Sequence, residues 1–192
     1  MMKILLTLFV LLFSSLVVAE DISDFEIEGM SIGDSLLDYY NKNIINNAEI
    51  TNYPNSNKYF DLGIIPKKES KYDFYIFSVK ENDYNYIIYD LRGVKIFENE
   101  INECKKFKNS IIREIDPLFL DSEKSDYEYI YEKLADGKSI SYITDYNLES
   151  GAIRIYCNKW SSDTKKKFDQ QDAFVISIST QEHLYWISNE AY

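Results

Sequence analysis

The sequence predicts an α+β fold: a single exported domain in which an antiparallel sheet is packed by helices. Three observations lead there. Strand-length stretches follow one another in runs separated by turn residues. Two of the stretches between them carry apolar residues at helical spacing. Strands and helices come in blocks, which argues for hairpin connections rather than alternating βαβ units.

The chain opens on an export segment. Met1-Met2-Lys3 is a short positive start, Ile4 to Val18 is an apolar run broken only by Thr7, Ser14 and Ser15, and Val17-Val18-Ala19 precedes Glu20-Asp21. That order is a secretory signal with cleavage after Ala19. The run is short for a helix that needs about 20 residues to cross a bilayer. Residues 20–192 are then the exported domain, with no membrane span left after cleavage. No cysteine stands at the cleavage site to carry a lipid.

Asp34 reads as the cap of a short helix with Leu36, Leu37, Tyr40 and Ile44 on one face. Tyr53-Pro54-Asn55-Ser56-Asn57 is a turn cluster, followed by strands over 58–64, 72–80 and 84–91. Arg92-Gly93 reads as a turn into a strand over 94–97. The 72–80 segment carries Phe74 and Ile76 on one face and Tyr75, Phe77 and Val79 on the other, the pattern of a central strand covered on both sides.

Residues 99–116 form the clearest helix, with Ile101, Cys104, Phe107, Ile111 and Ile115 in one stripe and Pro117 just beyond. Ser125 and Glu128 make a capping box that predicts a second helix through Tyr127, Ile130, Tyr131 and Leu134, ended by Asp136-Gly137. Strands are predicted over 139–147, 151–158 and 172–179. The segment 159–171 reads as a loop and 181–192 as a short closing helix. The two blocks of strands resemble structural echoes of one another without a residue-level repeat.

The full chain has 21 basic and 32 acidic residues, and removing residues 1–19 takes away Lys3 and no acid, leaving a net charge of −12. Such a chain lacks the basic footprint of a nucleic-acid binder and is not drawn to an anionic membrane surface. The 17 tyrosines suit half-buried strands, and they are also what a sugar-stacking surface would contain.

Cys104 and Cys157 are the only cysteines. An even number in an oxidising compartment reads as a disulfide. Cys104 lies on the apolar stripe of its helix, and Cys157 shares a strand face with Ile153 and Ile155, so packing that helix on that strand brings the sulfurs together.

Gly33-Asp34-Ser35-Leu36 resembles the signature block of the GDSL esterases and lipases. The resemblance implies Ser35 as nucleophile and His183, the only histidine, as base. Thr180 stands where that family places its Asp, three residues before the His, and the family's Gly-x-Asn-Asp block has no counterpart; the match covers four residues of 192. Gly29-Met30-Ser31, then a short helix, a turn and strands, resembles the opening of small exported BamE/SmpA-type domains over residues 27–91. That likeness implies action through protein contacts rather than catalysis. The exported chain is also similar in style to small Tyr- and Lys-rich bacterial exported proteins.

Two partial motifs close on inspection. Asp145, Asn147 and Glu149 alternate like calcium ligands, but the glycine falls at Gly151 and Tyr156 replaces the closing Glu. Asp136-Gly137-Lys138-Ser139 ends like a phosphate loop, but Glu132 replaces its first glycine. The sequence nominates no cofactor and no metal, and no complete catalytic set. The expected function is an exported, periplasmic or secreted, non-catalytic domain whose partner is a protein or envelope component. The alternative is a serine esterase using Ser35 and His183.

Overall fold

The computed structural model describes residues 21–66, 69–120 and 122–192, so the export segment lies outside the described residues. Eight strands pair into one antiparallel sheet: β1 (Glu49–Thr51), β2 (Tyr59–Ile64), β3 (Phe74–Lys80), β4 (Ile88–Ile96), β5 (Glu123–Ile130), β6 (Ile140–Leu148), β7 (Gly151–Lys159) and β8 (Ala173–Thr180). Their order is β1-β2-β3-β4-β8-β7-β6-β5. Each half is thus a four-strand meander, and the last strands of the two halves, β4 and β8, pair at the centre. This arrangement is the structural echo that the strand blocks suggest.

Among the described residues four α-helices accompany the sheet: α1 (Lys42–Asn46), α2 (Ile101–Ile115), α3 (Ser162–Phe168) and α4 (Gln181–Asn189). The chain must travel from the central β4 to the outermost β5, four strand spacings or about 19 Å. The 15 residues of α2 cover about 22 Å at 1.5 Å per residue, so one helix makes the crossing.

Strand alternation separates two faces. One carries Leu62, Tyr75, Phe77, Leu91, Ile153, Ile155, Phe174, Ile176 and Ile178, all buried. The stripe Cys104, Ile111 and Ile115 of α2 covers it, with Ile22, Phe25, Ile27, Met30 and Leu36 from the N-terminal segment and Ile45 of α1. A disulfide joins Cys104 to Cys157 with Cα atoms 6.0 Å apart, fastening α2 to β7. Its 53-residue separation corresponds to about 4 kcal/mol in the chain-entropy model.

Several expectations are corrected. The capping box at Ser125 and Glu128 does not start a helix: residues 123–130 are the edge strand β5, paired with β6 along its whole length from Glu123–Asn147 to Ile130–Ile140. Both patterns are present in these letters, and the cross-strand partners favour the strand. Asp126 accepts from the Thr144 hydroxyl, and Tyr127 donates to Asp145. The helical reading also needs Leu134, but Ala135 and Gly137 adopt φ of 49° and 69° in a turn. At Gly137 a Cβ would meet the Glu132 carbonyl at 2.9 Å, so glycine is required there.

Arg92-Gly93 is no turn but the middle of β4, paired with Ile76 and Tyr75 on one side and Ser177 and Ile176 on the other. Glycine is present because the Tyr72 ring lies on the backbone, 3.0 Å from where a Cβ would stand. Residues 159–171 are not wholly loop: Ser161 caps α3, its side chain accepting from the Thr164 amide. The strand predicted from residue 72 begins at Phe74. Its second face, with Phe74 and Ile76, is only partly buried.

Candidate functional site

The second face of the sheet is polar where the first is apolar, and cross-strand register shows how it is built. Asp61, Ser78, Asp90 and Ser179 stand opposite one another on β2, β3, β4 and β8. One row along, Ile76, Arg92, Ser177, Arg154 and Asp145 stand opposite one another on β3, β4, β8, β7 and β6. Beyond these, Phe74, Val94, Val175 and Tyr156 form an apolar floor. The face is flanked by α4, whose His183 and Trp186 pack over Tyr59, and by the segment bearing Trp160 and Asp169. Between them run two adjoining cavities. The cavity of about 430 Å3 lies over the apolar floor beside Trp160 and Gln170. The one of about 290 Å3 lies beside α4 over Arg92, Ser177 and Arg154.

A buried ion network forms the centre. The Arg92 guanidinium donates through Nη2 to Asp61 at 3.0 Å and to Ser78 Oγ at 3.1 Å, and through Nε to Asp90. Ser78 and Ser179 donate to Asp61 and Asp90 respectively, and Tyr53 donates to Asp61 at 2.7 Å. Burial pushes the Asp90 carboxyl up, but the charge of Arg92 and the hydrogen bonds from Ser179 and Arg92 outweigh it and hold Asp90 below the usual carboxylate range. Burial also works against the charge of Arg92, while Asp90 and Asp61 keep it protonated well above its ordinary value. Arg154 forms a second pair, its Nε and Nη2 meeting the two oxygens of Asp145 at 2.8 and 2.9 Å. Those hydrogen bonds raise it further, against burial.

His183 sits in the wall of the cavity beside α4 and is 2 % exposed. Neither ring nitrogen has a hydrogen-bond partner among the described residues. Nδ1 is 3.9 Å from Asp90, beyond hydrogen-bond reach. Burial pushes the imidazole down, more strongly than Asp90 raises it, so it is neutral near pH 7.

Ser35 and His183 are not brought into a hydrogen bond. The Ser35 hydroxyl donates to the Asn85 carbonyl at 2.6 Å and accepts from the Leu37 amide, capping a 3-10 turn over Leu36–Asp38. Asp34 is not that cap: its carboxylate accepts from the Ser31 amide and the Tyr39 hydroxyl. Thr180, in the place of the GDSL aspartate, caps α4 by accepting from the His183 amide at 3.2 Å. Asp145, the first of the calcium-like residues, is committed to Arg154 and Tyr127. Of the two tryptophans, Trp186 is core, its Nε1 donating to Ser56, whereas Trp160 lines the groove.

Among the described residues no helix is long and apolar enough to cross a membrane. Of the residues of the polar face, the sequence singles out Asp145, Arg92 and His183 in other roles and leaves Asp61, Ser78, Asp90, Arg154, Ser177 and Ser179 unmarked. Their signal was the alternation Ile176-Ser177-Ile178-Ser179, Ile153-Arg154-Ile155 and Asp90-Leu91-Arg92, which marks strands with one polar face. Compared with family models, with curated proteins and with solved structures, the chain matches none.

Proposed function

We propose that this protein is an exported, non-catalytic domain that binds a component of the cell envelope in the groove on the polar face of its sheet. One observation carries the reading. The charged groups of the groove are all paired within the protein, Arg92 with Asp61 and Asp90 and Arg154 with Asp145, yet the cavities above them are open. Such a site is preorganised for recognition. It is poorly suited to proton transfer, which needs groups poised near neutral pH with partners in reach. The Cys104–Cys157 disulfide supports export, because such bonds persist in oxidising compartments.

The test is retention of the exported protein on envelope material from its own cells, comparing Arg154→Gln in the groove with Arg113→Gln on the solvent side of α2. Retention lost in the first and kept in the second is expected. Equal retention of both, or hydrolysis of a generic ester that Ser35→Ala abolishes, would overturn the reading.

A further inference from the structure

We propose that the cavity beside α4 binds a neutral, hydroxyl-rich ligand, a small saccharide. This rests on the groove being a binding site and adds the chemical class of what it holds.

The charges decide first. Three carboxylates, Asp61, Asp90 and Asp145, surround two guanidiniums, so no uncompensated positive charge draws an anion. A cation is the weaker candidate, because the excess carboxylate charge is buried and every oxygen of the three carboxylates already accepts a hydrogen bond from the protein. Asp61 is filled by Tyr53, Ser78 and Arg92, Asp90 by Ser179 and Arg92, and Asp145 by Arg154 and Tyr127. What the cavity still offers is mainly donors. Nη1 of Arg92, Nη1 of Arg154 and the Tyr156 hydroxyl have no hydrogen-bond partner among the described residues, and none of them is buried out of solvent reach. A group that accepts from paired guanidiniums without carrying charge is a hydroxyl, ether or carbonyl oxygen, and the saccharide is favoured among these by the geometry and surface of the cavity.

Geometry and surface agree. Arg92 and Arg154 each stand opposite Ser177, one strand to either side, so their Cα atoms lie about 10 Å apart. One ligand lying over Ser177 reaches both. Tyr131, Tyr156 and Tyr192 supply aromatic walls on which the C–H face of a sugar ring packs. The volume, about 290 Å3, is at the lower end of ligand cavities, which suits a small ligand. A peptide is the weaker candidate, since β4, β8, β7 and β6 each have strands on both sides and leave no backbone ladder for it to join.

The experiment is an NMR titration of the exported protein with maltose, cellobiose and diacetylchitobiose, with glucuronate and tri-alanine as comparators. Each probe is taken to about 10 mM, enough to detect a millimolar site. At least one neutral disaccharide is expected to give saturable shifts at Ser177 and Arg154. Binding is expected to weaken about tenfold in Arg154→Lys, which keeps the charge and loses the open Nη1, and to weaken in Tyr156→Phe with the fold unchanged. Saturation by glucuronate or tri-alanine alone overturns the ligand class and leaves the groove standing. So does silence from every probe while envelope retention still depends on Arg154; silence together with groove-independent retention overturns both. Unchanged affinity in Arg154→Lys and Tyr156→Phe overturns the assignment of the donors.

Discussion

Replacing His183 with leucine tests the electrostatics of the α4 wall with little interference, because His183 is the only histidine in the chain. Its imidazole contributes one donor and one acceptor, both buried and unpartnered, and each such group costs about 1–3 kcal/mol. Against that gain, the leucine loses the ring contacts with Tyr59 and Trp186, whose centroids lie 5.2 and 5.4 Å away. Those contacts are worth about 0.5–1.5 kcal/mol each. The gain of about 2–6 kcal/mol exceeds or matches the loss of about 1–3 kcal/mol, so His183→Leu is expected to leave stability at neutral pH unchanged or raised, where a buried truncation usually costs about 2–5 kcal/mol. The pH dependence is the sharper signature. The folded pKa of His183 lies below its unfolded value, burial outweighing Asp90, so between the two values the unfolded chain binds the proton more readily. The stability tied to a neutral His183 is complete above about pH 6.5. It falls as the pH drops toward the folded pKa and levels off beneath it, by about 1.4 kcal/mol per unit of separation. The carboxyls held below their ordinary range are Asp21, Glu28, Asp90, Asp116, Asp136 and Glu182, so they lose stability only in more acidic solution. Urea unfolding at about pH 7.5 and about pH 5 is then expected to show a loss in the wild type that His183→Leu lacks. A variant destabilised by more than about 2 kcal/mol at both pH values, beside a wild type with no pH dependence, would mean that the imidazole is hydrogen-bonded after all.

Four further outcomes follow from the same structure. Arg92→Met leaves Asp61 and Asp90 buried without their counter-charge and is expected to cost about 3–5 kcal/mol in chemical unfolding; a loss under about 1 kcal/mol would mean that the network is wet. Replacing Cys104 and Cys157 together by alanine is expected to cost about 4 kcal/mol, and alkylation of both thiols in the untreated protein would show that the bond does not form. Gly93→Ala drives a methyl into the Tyr72 ring and is expected to cost about 1–3 kcal/mol, with Tyr72→Leu relieving part of the loss in the double variant. Mass measurement of the exported protein is expected to find Glu20 as its first residue; a product that retains Lys3 would refute cleavage after Ala19.

What was legible in the sequence and what was not divides along one physical line. Features set by local period were readable: the α2 stripe through Cys104 and Ile111, the alternation in β6, β7 and β8, and the closing helix. The cysteine pair was readable too, because two periodic elements placed both sulfurs on faces that had to meet. Residues 123–130 carry both periods, Tyr127 and Ile130 at helical spacing and Ser125, Tyr127 and Tyr129 at strand spacing, and only the edge of β6 distinguishes them. The groove was invisible for a stronger reason. Asp61, Ser78, Arg92, Asp145, Arg154 and Ser179 are neighbours solely through strand register, which letters do not contain before the pairing is known. The choice of cation carries a further signal. The chain has 21 cationic side chains but only three arginines, and two of those, Arg92 and Arg154, lie within apolar strands. A chain that meets almost every need for positive charge with lysine places arginine where a planar fork must hold two partners at once. At both positions the fork does so, Arg92 between Asp61 and Asp90 and Arg154 across Asp145 and Tyr127. The net charge of the chain is therefore a poor guide to its ligand. The excess of acid describes the whole chain, whereas recognition depends on a groove whose own charges are already spent on one another.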